Sequence, residues 1–103
     1  MEVVIEKLKR LKKRLKEKPE DREEIEREIE ELEKELEAIK IFEKRGATED
    51  VMAVVKGIYE AYKLGTIDAV TAFYALLGVA YYHIVPLTPR DIKRLKEAFG
   101  IAV

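Results

Sequence analysis

His83 is the one histidine in the chain, and a search for acid–base chemistry begins there. A catalytic imidazole needs a nucleophile to activate or a carboxylate to orient it. The sequence has no serine and no cysteine, and the nearest acid upstream on the same predicted helix is Asp68. As a metal ligand His83 would need partners from other helices. A place near the C-terminal end of a helix, where even partial positive charge is favoured, accounts for it without chemistry. The carboxylates of residues 20–45 are the next candidates. A two-carboxylate site needs burial or close pairing to drive its pKa values apart, and these acids alternate with lysine and arginine on a solvated face. The absence of cysteine excludes disulfide and thiolate–metal chemistry. No glycine-rich phosphate loop and no metal-ligand spacing occurs. The expectation is a chain with no catalytic residue, no cofactor and no metal, and so not an enzyme.

A second chemistry is electrostatic. Lys7, Lys9, Arg10, Lys12, Lys13, Arg14 and Lys16 could hold a phosphate backbone. Residues 1–18 carry a net +5, residues 19–46 a net −6, and residues 47–103 are balanced, which leaves −1 overall. The basic residues surround a leucine seam that the acidic segment should cover, and no aromatic lies among them. Charge pairing within the chain is the expectation, with no nucleic-acid partner. The aromatics Tyr59, Tyr62, Phe73, Tyr74, Tyr81, Tyr82 and Phe99 all fall in the second half. Such a set can line a pocket, but it suits a packed core or a protein interface better.

Five helices would have to position these groups. The first spans about 2–17, with Val4, Leu8, Leu11 and Leu15 spaced four, three and four apart. Pro19 ends it and opens the second, about 20–45, where Ile25, Ile29, Leu32, Leu36 and Ile39 repeat like a coiled-coil seam. Leu8, Leu11 and Leu15 should meet Ile25, Ile29 and Leu32 in an antiparallel hairpin. Gly46 suits a left-handed cap. Thr48 caps a third helix, about 49–64. Gly65 and Thr66 are read as a minimal stop and restart, with Thr66 capping a fourth helix at about 67–85. Thr88-Pro89-Arg90-Asp91 reads as a capping box opening the fifth, about 89–99. No strand pattern is visible. The fold class expected is all-α, one helical domain over 1–103, with a hairpin at 1–46 leading into a three-helix segment at 47–103.

The segment Leu8-Lys9-Arg10-Leu11-Lys12-Lys13-Arg14-Leu15-Lys16-Glu17-Lys18-Pro19-Glu20-Asp21, with Ile25-Glu26-Arg27-Glu28-Ile29-Glu30-Glu31-Leu32-Glu33-Lys34-Glu35-Leu36 after it, resembles the hairpins of de novo designed helical bundles. The likeness lies in general character and not in a motif, and it covers about the first 45 residues. It implies an idealised structural scaffold. Hyperthermophile proteins share the Glu/Lys enrichment and the scarcity of Asn and Gln. The second half departs from this pattern. Valines are frequent in its helices, and Gly57 and Gly78 sit mid-helix at a cost of roughly 1 kcal/mol each. Close helix crossings would repay that cost. Across a turn at Gly65-Thr66, Gly78 would meet Ala53 and Gly57 would meet Tyr74.

Residues 69–85 carry no charged side chain apart from His83 when protonated. A helix apolar all round must be surrounded. The apolar run 69–87 is long enough to suggest a membrane span, yet it holds His83 and Pro86 and is rich in Ala, Gly and Tyr. A soluble, cytoplasmic-type chain without signal peptide or membrane partner is expected instead. Other helices of the chain could cover most sides of this helix but not all. The remaining side should pair with another copy, making a homo-oligomer, with Ala72, Leu76, Val79 and Tyr82 as interface candidates. The function expected is a structural module that self-associates through its C-terminal helices. Two readings stay open beside it: a module that binds a different protein through the same face, and a small thermophile or viral assembly protein.

Overall fold

The computed structural model describes residues 2–17 and 19–101. Among these residues the fold is all-helical, with five α-helices: α1 Glu2–Glu17, α2 Arg22–Lys44, α3 Glu49–Lys63, α4 Ala69–Tyr82 and α5 Pro89–Ala98. A 3-10 turn, Pro19–Asp21, joins α1 to α2. The chain forms two compact units, Met1–Glu37 and Ala38–Val103. The division falls inside α2 and not at Gly46, because the last two turns of that helix contribute Ala38, Ile39, Ile41 and Phe42 to a buried core. The C-terminal unit is therefore more than a three-helix segment.

In the N-terminal unit the chain doubles back through the 3-10 turn. Val4, Leu8 and Leu11 are buried, as are Ile25 and Leu32, while Leu15, Ile29 and Leu36 are at least half-buried. Each fully buried aliphatic side chain contributes roughly 1.5–3 kcal/mol. The charges flanking this seam pair less across it than their balance suggests. Lys12 Nζ lies 3.9 Å from Glu33 Oε1 and spans the two helices, whereas Lys13–Glu17, Arg22–Glu26 and Glu30–Lys34 pair along one helix. Lys7, Lys9, Arg10, Arg14 and Lys16 are exposed. Solvated pairs of this kind contribute at most about 1 kcal/mol each, so the apolar seam holds the hairpin.

In the C-terminal unit α4 packs against both α3 and α5. Phe42, Val55, Phe73, Leu76 and Leu95 are fully buried there. Tyr59 stacks on Phe99 with ring centroids 5.1 Å apart, and Tyr62 meets the same ring edge-on at 5.2 Å. The ammonium of Lys96 sits 5.7 Å from the centroid of Phe73.

Both ends of α4 differ from expectation. The helix starts at Ala69, capped by Asp68, whose carboxylate accepts the Thr71 N–H at 2.7 Å. Thr66 instead closes the end of α3, its backbone N–H donating to Ala61 O, and α4 begins three residues later at Ala69. The negative charge of Asp68 also suits the positive end of the helix, and the Thr71 bonds hold its carboxyl below the usual carboxylate range. At the far end α4 stops at Tyr82. Pro86 disfavours helical backbone at Val85, and the chain turns out of the helix at Ile84, where φ is 55°.

Candidate protein interface

Helical geometry divides α4 into two sides. Ala72, Phe73, Leu76 and Ala80 face inward and are buried; Val70, Thr71, Tyr74, Gly78, Tyr81 and Tyr82 lie on the outer side. Val70, Tyr74 and Tyr81, spaced four and seven apart, share one stripe, with half-buried Leu77 between them. The outer side carries neither lysine, arginine, aspartate nor glutamate.

This division corrects the interface assigned from sequence. Ala72 and Leu76 are wholly buried within their own unit, so neither is available to a partner. Val79 is half-buried and Tyr82 exposed. A helix apolar on every side hides which side its own chain covers, and periodicity alone cannot choose. The pairs expected at close crossings are corrected too. Ala53, Gly57, Tyr74 and Gly78 all lie outside the core, and a methyl group built on Gly57 or Gly78 would meet nothing within 4 Å. The connection from α3 to α4 runs through Leu64–Asp68 rather than a two-residue turn, which removes the register on which those pairings rested.

The end of α4 holds the most exposed large apolar side chains among the described residues: Tyr81 at 89 %, Ile84 at 87 % and Tyr82 at 80 %. His83 is the C-cap residue, its backbone N–H donating to Val79 O at 3.0 Å. Its imidazole is exposed and lies edge-on to Tyr82, with ring centroids 4.9 Å apart. Ile84 closes the helix in a left-handed conformation, which costs an L-residue roughly 1–2 kcal/mol and suits a β-branched one least. Val85 then donates to Ala80 O at 2.8 Å.

One polar cluster is only half legible in the sequence. The expected capping box is present: Asp91 N–H donates to Thr88 Oγ1 at 3.1 Å and Thr88 N–H to Asp91 Oδ2 at 3.0 Å. Arg45 also reaches this carboxylate. Its Nε bonds Oδ2 at 2.6 Å and its Nη2 bonds Oδ1 at 3.2 Å. The two residues lie 46 positions apart, a distance no local pattern spans. The Arg45 guanidinium holds the Asp91 carboxyl down at about 2, against burial, which pushes the other way. Both oxygens of Asp91 are thus engaged, one by Arg45 and the Thr88 cap together and the other by Arg45 alone. Among the described residues no group of His, Cys, Asp or Glu is placed to hold a metal, and no helix is long and apolar enough to cross a membrane.

Comparison with protein-family models, curated proteins and solved structures found no match.

Proposed function

We propose that this protein is a non-enzymatic structural module that self-associates through the outer side of α4. The observation that carries the reading is the uncharged, exposed stripe of Val70, Tyr74 and Tyr81, continued by Tyr82 and Ile84. Exposed apolar patches on a folded chain mark places where another surface docks. A second copy is the simplest partner, because a closed two-fold interface needs only one patch. The idealised hairpin of the first 45 residues supports a designed scaffold as the origin of that half. Light scattering at two concentrations tests the proposal. A mass that rises from one chain to a defined multiple supports it. A chain that stays monomeric at high micromolar concentration would falsify it and favour a module for a different protein.

A further inference from the structure

Among the described residues, four helix ends close in the same way. In each, one residue past the C-cap adopts a left-handed conformation, at Gly46 (φ 84°), Gly65 (φ 78°), Ile84 (φ 55°) and Gly100 (φ 70°). Each of these residues donates its N–H three residues back: Gly46 to Glu43 O, Gly65 to Tyr62 O, Ile84 to Tyr81 O and Gly100 to Glu97 O. The residue after each donates five back: Ala47 to Phe42 O, Thr66 to Ala61 O, Val85 to Ala80 O and Ile101 to Lys96 O. Three of the four caps use glycine, the residue that takes this conformation without steric cost. The fourth uses isoleucine, among the least suited residues to hold it.

The fold gains little from that isoleucine. The hydrophobic contact that such a cap favours is available to Val85, which is buried beside buried Ala80, while Ile84 stands 87 % exposed. A strained residue whose side chain is turned to solvent invites a role outside its own chain. We infer that Ile84 is the anchor by which one copy of this protein grips a second, inserting beside Tyr81 and Tyr82 of its partner copy. This rests on self-association through α4 and names the residue that carries it.

Charge and area both favour a second copy as the occupant. In a two-fold interface a patch meets its own duplicate, so a charge near its axis faces a like charge. Residues 69–88 contain no lysine, arginine, aspartate or glutamate, and with His83 neutral such a patch can meet itself without repulsion. Tyr74, Tyr81 and Tyr82 are 62 %, 89 % and 80 % exposed. With Ile84 they offer roughly 600 Å² per copy, the lower end of what specific protein interfaces bury. A heterologous partner would have no need of a charge-free patch, since opposite charges could then serve specificity.

The inference separates two effects that ordinarily move together. Replacing Ile84→Gly should relieve the left-handed strain and remove the anchor. The dilute, monomeric chain should then melt higher, by roughly 5 °C, while the dissociation constant of the assembly rises at least tenfold. Ile84→Asn, which also tolerates this backbone conformation, should weaken assembly similarly and guards against an effect peculiar to glycine. Thermal melts by circular dichroism and sedimentation equilibrium read the two quantities. A wild-type chain that never assembles overturns self-association and this anchor together. A wild-type multimer whose affinity both substitutions leave unchanged overturns the anchor alone.

Discussion

Asp91 accepts three hydrogen bonds, from Thr88 N–H, Arg45 Nε and Arg45 Nη2, while its side chain is 5 % exposed. Its carboxyl is held at about 2, chiefly by the Arg45 bond. A carboxyl depressed on folding contributes stability that is fully present above its ordinary range near 4 and is lost as pH falls toward 2. Arg45 remains 27 % exposed, so solvent screens much of the pairing, and the contribution amounts to at most about 1 kcal/mol. Asp91→Asn should therefore lower stability by about that amount at pH 7. The gap from wild type should close between pH 4 and pH 2 in denaturant titrations; a gap independent of pH would show that the pairing is not what the substitution removes. Gly78 gives a prediction of opposite sign. With open space around it and no tertiary contact to repay its helix cost, Gly78→Ala should stabilise the dilute chain by roughly 0.5–1 kcal/mol. A lower melting temperature would mean that this face is covered.

At the scale of the element, the hairpin depends on its seam. Leu11 is 8 % exposed, and Leu8, Ile25 and Leu32 are buried in the same unit. Leu11→Ala should cost roughly 2–4 kcal/mol, the transfer of the lost methyl groups plus the cavity left behind. Lys12→Ala, which removes the pair to Glu33, should cost under about 1 kcal/mol. Chemical denaturation of both variants ranks the two effects, and a larger loss for Lys12→Ala would overturn the view that the apolar seam dominates. The caps follow the same logic of local groups that need partners. Thr48, Asp68 and Thr88 each accept a backbone N–H that their helix cannot satisfy.

For the whole molecule, the two sides of α4 should respond differently to charge. Lysine in place of Ala72 or Leu76 buries an ammonium in a packed core and should unfold the C-terminal unit. Lysine in place of Tyr74 or Tyr81 meets solvent in the monomer, so circular dichroism should stay helical while light scattering shows the assembly dissociate. If Tyr74→Lys and Tyr81→Lys retain the wild-type mass, α4 is not the face through which copies meet.

The all-helical class, the five helices and the Thr88–Asp91 box were legible in the sequence by itself, because spacing, caps and breakers act within a few residues along the chain. The buried hairpin leucines were legible for the same reason: only one side of α1 is apolar. Three decisions belonged to the tertiary structure. Which side of α4 is covered depends on where α3 and α5 lie, since the composition of that helix favours no side. The cap of α4 moved from Thr66 to Asp68: Thr66 belongs to the end of α3, and α4 starts only at Ala69, directly after Asp68. Arg45 found Asp91 because folding brings the end of α2 to the start of α5, and a bidentate bond across 46 residues leaves no periodic trace. Ile84 shows the limit most plainly: in the sequence it is one more apolar residue before a proline, and only the backbone angle reveals that it stands where three other helix ends use glycine.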